Sequence, residues 1–279
     1  MAGVLVVGSS GNLGRAVTTA ALAAGLDPIA TVRSETTEPG ERHLDFGAPA
    51  TFAPAVAGCD AVFLMRPPAI SRVGPTLNRF VDVAAAEGVG HIVFASVAGA
   101  AENPIVPHHR VEKHLGSAAI PSTILRPGFF AQNIESAYRA DIVNEDRIVL
   151  PAGDGQPAFI DALDIGEVAA VALADPHAHA GKAYTLTGAT AHSFDEVASK
   201  LSGLLDRTVR YEPVSPIGYV RRLRSQGMGW SQALVQTVLH TELRRADDER
   251  ITDDVARLLG RPPTSLDDYL ERNREVWLR

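Results

Sequence analysis

The sequence predicts an α/β protein: a doubly wound parallel sheet followed by a smaller mixed α/β lobe. Three observations predict it. Residues 4–7 form an apolar, β-branched run that leads straight into three glycines and then a helix-like stretch, 15–24. Strand-like and helix-like segments then alternate as far as residue 126, the rhythm of parallel strands joined by crossover helices. Beyond about residue 150 that alternation breaks. At 279 residues the chain suits one larger domain, 1–150, and a lobe, 151–279, with a boundary that is approximate because the lobe can return strands to the main sheet.

The first turn carries the clearest chemistry. Gly8, Ser9, Ser10, Gly11, Asn12, Leu13 and Gly14 lie between a strand and a helix. In a dinucleotide-binding (Rossmann) turn the first glycine permits the sharp bend and the second lets a pyrophosphate approach the backbone. The third allows close packing of the helix. The helix start adds free N–H groups and partial positive charge. The spacing here is G-x-x-G-x-x-G.

The next strand, 28–32, ends at Arg33 rather than at the acidic residue that binds a ribose 2′-hydroxyl. A guanidinium suits a 2′-phosphate, so NADP(H) is the favoured cofactor, although Glu35 stands close by and a solvated loop arginine is the alternative. A short third strand is expected to end at Asp45, which could contact adenine or cap the helix near 50–57. Further strands are expected at 60–65, 91–95 and 121–126, with helices from 75 and 108. In the lobe, strands are expected at 148–150, 182–187 and 208–212. Ser193 and Glu196 form a capping box, and the chain from residue 217 reads as largely helical.

Composition narrows the partners. The net charge of −7, from 26 basic and 33 acidic residues, argues against nucleic acid. One cysteine, Cys59, excludes an internal disulfide and a cysteine-based metal site, and His177, His179 and His192 lack partners at ligand spacing, so no metal is expected. No apolar run approaches the roughly 20 residues of a membrane span. The chain opens on a strand, so a cytoplasmic protein without a signal peptide is expected, as a monomer or homodimer with a small aromatic substrate.

Residues 8–14, Arg33, 125–133, 159–166, 184–188 and 260–266, in that order and spacing, resemble the NmrA-like branch of the atypical short-chain dehydrogenase/reductase family. That group includes bacterial NAD(P)H:quinone oxidoreductases of this fold, triphenylmethane reductase and a redox-sensing regulatory branch. The resemblance implies that the glycine loop holds the pyrophosphate and Arg33 the 2′-phosphate. It implies that Asp45 and Phe46 flank the adenine, and that Met65, Arg66 and Pro67 line the cofactor. It places Ser96 near the nicotinamide ribose, and Gly128, Phe129 and Phe130 at the nicotinamide and substrate ring.

The chain departs from the wider family at its acid. Ordinary members place a tyrosine four residues before a lysine, and the tyrosine protonates the carbonyl. Here those positions fall on Pro104 and His108. His108 is then an acid or donor to the substrate oxygen, or a ribose contact, or a solvated helix start. If it only binds ribose, a quinone would need little acid catalysis, and Ser96, Asn133 and water could suffice. Phe129 and Phe130 either belong to the core or stack on a flat substrate. Trp230, near Met228, lies where a helical lid could close. No G-x-S-x-G elbow is present, which argues against a serine hydrolase. The expected function is NADPH-dependent reduction of a quinone or polycyclic aromatic ketone. Composition resembling that of high-GC actinobacteria points by analogy to aromatic polyketide tailoring. The alternative is a non-catalytic NADP(H) sensor, favoured by the missing Tyr–Lys pair and disfavoured by the aromatic-bearing lobe.

Overall fold

The computed structural model describes residues 2–244 and 251–279. In chain order the elements are β1 (Gly3–Val6), α1 (Asn12–Ala23), β2 (Asp27–Val32), β3 (Glu41–His43), α2 (Phe52–Val56), β4 (Ala61–Met65) and α3 (Arg79–Ala86). There follow β5 (His91–Ala95), α4 (Pro107–Leu115), β6 (Ser122–Pro127), α5 (Gln132–Ser136), α6 (Arg139–Glu145), β7 (Arg147–Leu150), α7 (Ala162–Ala174), α8 (Pro176–His179) and β8 (Ala183–Leu186). The last are α9 (Phe194–Leu205), β9 (Arg210–Pro213), α10 (Pro216–Ser225), α11 (Trp230–Glu242), α12 (Asp254–Leu259) and α13 (Leu266–Arg272).

The chain forms two compact units. One takes the chain as far as Gly128, then Ala162–Leu186 and Asp253–Pro262; the other takes Phe129–Asp161, Thr187–Thr252 and Pro263–Arg279. The single boundary expected near residue 150 is therefore corrected to an interleaved division. The reason is packing. β8 completes the sheet of the first unit beside β6, α7 covers that sheet, and α12 packs on α7 and β8. Arg261 then ties the returning segment down by pairing with the fully buried Asp164 at 2.8 Å and with Glu167 at 2.6 Å.

The first unit holds a seven-stranded sheet in the order β3-β2-β1-β4-β5-β6-β8, every pair parallel. All carboxyl ends therefore share one edge. The order reverses between β1 and β4, the switch point where ligands of such sheets bind. Both faces of the sheet are covered, so β4 and β5 read as continuous apolar runs and bury Val62, Phe63, Leu64, Ile92, Val93 and Phe94 completely. The strands lie within two residues of their expected positions. The third is shorter, because Asp45 already turns the chain by accepting from the Gly47 N–H at 2.8 Å. The helix expected from residue 75 begins as a π-helical turn, Gly74–Asn78, before α3. His177 and His179, read as loop, lie in α8, whose N-cap Asp175 accepts from Ala178 N–H at 3.1 Å.

The second unit is built around a two-stranded parallel sheet, β7 with β9. Its core joins Ile134, Tyr138, Phe159, Phe194, Leu201, Tyr269 and Trp277. Ser193 and Glu196 close the expected capping box at the start of α9. Asp161, 1% exposed, pairs with Arg272 of α13 and accepts from Gln132 at 2.8 Å.

Two helical glycines differ in what a side chain would meet. A Cβ on Gly166 of α7 would stand 2.6 Å from the Ala16 carbonyl carbon in α1, whereas one on Gly203 of α9 would meet nothing within 4 Å. Gly166→Ala is expected to lose about 1–3 kcal/mol by forcing the two helices apart. Gly203→Ala is expected to gain up to about 1 kcal/mol from helix propensity. Urea unfolding of both variants checks the pair; equal effects would contradict the close α1–α7 contact.

Candidate active site

The glycine loop leaves β1 at the switch point. Gly8 has φ +75°, which only glycine adopts without strain, and a Cβ there would lie 2.7 Å from Met65 Sδ. Gly11 N–H donates to the Gly8 carbonyl at 3.0 Å and closes the turn. A Cβ on Gly14 would lie 2.0 Å from that carbonyl oxygen, so the third glycine serves loop-to-helix contact, not helix-to-sheet contact. Gly11 alone faces open space: a Cβ there would meet only Gly8 O, at 3.5 Å. No side chain caps α1, and its ladder begins with Arg15 N–H to Gly11 O at 2.9 Å. The N–H groups of Asn12, Leu13 and Gly14 therefore have no carbonyl of the preceding turn to bond. Together with the helix dipole they suit a phosphate.

Two residues outside the glycine pattern hold this loop. Thr31 of β2 accepts from Gly8 N–H at 3.1 Å and donates to Val6 O at 3.0 Å, while Ser9 Oγ donates to Thr31 O at 3.1 Å. Arg15 donates to Ser10 O and to Asn12 Oδ1, both at 2.8 Å. The available signal was a threonine facing the turn from the neighbouring strand, and an arginine three residues after Asn12. Leu13 points into the core.

Arg33 is exposed directly after β2. A cavity of about 350 Å³ opens nearby, lined by Glu35, Thr36, Thr37 and His43. Asp45 is half-buried and spends its carboxylate on Gly47. The ring of Phe46 belongs to the core and not to the rim of the site: it is 7% exposed and packs edge-on against Phe52 and Phe80 at 5.9 and 5.6 Å. That expectation is corrected, since an aromatic beside two core rings gains more from burial than from the rim.

Past β4, Arg66 is half-buried and its guanidinium holds its own loop together. Nη1 donates to the carbonyls of Pro67 and Pro68 at 3.1 Å and of Ile70 at 2.7 Å. Its Nε donates to Nε2 of His108 at 3.3 Å. His108 sits in the first turn of α4 with its ring 6.2 Å from that of Phe94. Burial, then the Arg66 charge, push its pKa down to about 4, against a smaller opposing pull from Glu112. At neutral pH the imidazole is uncharged; of the expected roles, a hydrogen-bond donor or a ribose contact suits a neutral ring. His109 turns away and donates Nδ1–H to Ala100 O at 2.9 Å.

Glu112, one turn beyond His108, was not singled out by the sequence. It receives Nη2 of Arg126 at 2.7 Å and its Nε at 3.2 Å. It also accepts the hydroxyl proton of Ser96, which is 3% exposed. Ser96 thus offers a ligand lone pairs only and cannot donate to a substrate oxygen. The signal was there: i, i+4 spacing from His108, and a charged Arg126 ending an otherwise buried strand.

In the second unit, Phe129 is half-buried and packs edge-on against Phe159, Phe194 and His240, between 5.5 and 6.4 Å. Phe130 is half-buried and bridges to Ile160. Asn133 is also half-buried, in α5. Trp230 opens α11, 63% exposed, with the Arg224 guanidinium 4.9 Å over its ring. Gly128, the last residue of the first unit before the crossing, donates to Leu186 O at 2.9 Å.

His108 shares its electrostatic condition with His91 and His240, each also held at about 4 chiefly by burial. All three folded values lie below the ordinary 6.5, so unfolding takes up protons between about pH 6.5 and 4, and stability must fall as pH falls through that window. Urea titrations at pH 7, 6 and 5 are expected to show it, with about two to three protons bound on unfolding near pH 5. Stability unchanged from pH 7 to 5 would contradict the buried neutral rings.

The family model described as the NmrA-like family matches residues 2–270. The agroclavine dehydrogenase of Claviceps fusiformis is 28% identical over 287 residues, covering 99% of this chain and 98% of that protein. The NAD(P)H azoreductase of Xenophilus azovorans is 30% identical over 277 residues, covering 95% and 96%. The Citrobacter sp. triphenylmethane reductase, solved in complex with NADP(H), superposes with a TM-score of 0.84 at 25% identity, covering 98% of this chain and 99% of that one. The chain belongs to the NmrA-like family.

Proposed function

We propose that this protein is an NAD(P)H-dependent reductase whose acceptor is a planar conjugated molecule, a quinone or polycyclic aromatic ketone. One observation carries the choice of acceptor. The polar groups after β4 and β5 bind but do not protonate: His108 is neutral and the Ser96 hydroxyl donates its hydrogen bond to Glu112. An isolated ketone needs an acid as hydride arrives, whereas a quinone becomes an aromatic hydroquinone whose anion the ring itself stabilises. Relatives named as an azoreductase and a triphenylmethane reductase support a conjugated acceptor. Aromatic polyketides are one source of such molecules.

The residues present fit the cofactor. The open face of Gly11 and the uncapped start of α1 receive the pyrophosphate, with Gly8, Ser9, Ser10, Asn12 and Gly14 shaping the loop. Arg33 pairs with a 2′-phosphate. The backbone of Asp45 and Phe46 borders the adenine, and Met65, Arg66, Pro67, Ser96, Gly128 and Phe129 complete the cofactor contacts. When bound, NAD(P)H supplies the hydride. Phe130, Asn133 and Trp230 are proposed to meet the acceptor. Among the described residues no helix is long and apolar enough to cross a membrane. A second reading, a non-catalytic NADP(H) sensor, is favoured only by Pro104 standing where the family's tyrosine belongs. NADPH oxidation measured against a panel of quinones separates the two: turnover supports the reductase, and tight binding without turnover supports the sensor.

Gly11→Val places a branched side chain where the pyrophosphate lies while meeting almost nothing of the protein. NADPH affinity is expected to fall at least about tenfold with the melting temperature nearly unchanged. Calorimetry and thermal unfolding check this; normal binding would remove the loop from the site.

NADPH is expected to bind more tightly than NADH, and Arg33→Ala to remove most of that preference, about ten- to a hundredfold for a charge-assisted pair. Equal affinity of the unmodified protein for both nucleotides, by calorimetry, would reject the role of Arg33.

A further inference from the structure

Arg66 does more than close its loop. Three of its hydrogen bonds, to Pro67, Pro68 and Ile70, pin the guanidinium, so the direction of its Nε–H is set by the backbone and not by solvent. That N–H points at Nε2 of His108 at 3.3 Å. An arginine only donates. Nε2 must therefore be the acceptor nitrogen, and in a neutral ring the single proton must sit on Nδ1. Among the described residues Nδ1 has no hydrogen-bond partner, and it is not one of the sealed, unpartnered buried atoms. It is a donor left free.

We propose that Arg66 is a positioning residue that locks His108 as a neutral Nδ1–H donor, which holds the oxygen of the acceptor without giving up its proton. The catalytic half of this rests on the reductase reading; the tautomer lock does not. Bound NAD(P)H would supply a hydride to the acceptor, the displaced electron pair would collect on the acceptor's oxygen, and the Nδ1–H of His108 would hydrogen-bond that oxygen. The proton that completes the product comes from water, so His108 ends the turnover as it began. A neutral imidazole is a better match to a stabilised hydroquinone anion than a cationic one, because it holds the anion without a proton transfer that must later be reversed. The charged groups facing the ring are few. Arg66 approaches from the loop after β4 and disfavours a second proton, Glu112 from the next turn of α4 favours it less strongly, and β5 presents the apolar Phe94. Glu112 is itself neutralised by Arg126, which limits its pull.

The test is imidazole NMR of the uniformly ¹⁵N-labelled full chain between pH 4 and 8, with His108→Gln to assign the ring. The unmodified protein is expected to show His108 neutral across pH 5.5–8 with its proton on Nδ1. Arg66→Met removes donor and charge, and is expected to free the tautomer and bring the titration up toward the ordinary 6.5. Arg66→Lys keeps the charge on a rotatable ammonium that the three carbonyls no longer orient, and is expected to relax the tautomer preference while the titration stays low. That second variant separates the lock from a general loosening of the loop. In steady-state kinetics Arg66→Lys is expected to lower kcat about tenfold or more, with a flat kcat profile from pH 5.5 to 8 in the unmodified protein. A His108 proton on Nε2, titration near 6.5 in the unmodified protein, or a tautomer unmoved in both Arg66 variants would overturn the lock. A lock that is confirmed while Arg66→Lys leaves kcat unchanged would overturn its catalytic use. Absence of any quinone turnover in the unmodified protein would overturn the reductase reading, and with it the catalytic half.

Discussion

The carboxyl edge of the sheet depends on a backbone contact that leaves no room for a methyl group. Gly14 sits so close to the Gly8 carbonyl that a Cβ would fall 2.0 Å from the oxygen. That contact draws the start of α1 against the end of β1. It turns the free N–H groups of the helix toward the one open position in the loop, Gly11. Thr31 then fixes the loop to β2, so the anion-binding end of the helix and the residue after β2, Arg33, are held by one hydrogen-bonded unit. Met65 fills the space under Gly8 from the strand across the switch point. The loop after β1 is thus tied to the carboxyl ends of β2, through Thr31, and of β4, through Met65.

The polar groups farther along the edge follow a different rule. Each is committed to a partner within the protein. Ser96 gives its hydrogen to Glu112, Glu112 is neutralised by Arg126, and the Arg66 guanidinium is taken up by backbone carbonyls and His108. Burial makes this arrangement consistent, since an unpaired charge there would cost several kcal/mol and a paired one does not. The family's tyrosine would have brought an ionisable acid into this set. With proline in its place, what remains is a set of polar groups already paired with one another, beside a His108 ring that burial keeps neutral.

Most of the fold could be read from the sequence because its signals are local. The run of residues 4–14, the alternation to residue 126 and the capping box at Ser193 each involve residues within one turn or one strand of each other. That the lobe can return a strand to the main sheet was legible, but which segments return was not, because that is set by contacts across the chain. Arg261 reaches Asp164 and Glu167 across nearly a hundred positions, and α12 returns to pack on α7. In the same way the family resemblance implied that Phe46 flanks a ligand, whereas its ring packs against two phenylalanines distant in sequence. Glu112 was passed over because a lone glutamate on a helix reads as solvated; only Arg126 and Ser96, brought alongside by β6 and β5, make it central.

The state of His108 could not be read from spacing at all. Position in the family pattern suggested an acid, because an unperturbed imidazole titrates near neutral pH. Two facts outside its own helix reverse that: burial beside Phe94, and a guanidinium that approaches one particular nitrogen. Desolvation alone would leave a neutral ring with either tautomer, and charge alone would lower the pKa without choosing a nitrogen. In the proposal above, the directed Nε–H of Arg66, held by three carbonyls, supplies the choice. On the reductase reading proposed above, a site organised in this way discriminates among acceptors by how well they carry negative charge once hydride has arrived. On that reading an isolated ketone, whose alkoxide demands a proton at once, is poorly served, whereas a quinone, whose anion is stabilised by the new aromatic ring, requires only the hydrogen bond that a neutral imidazole can give.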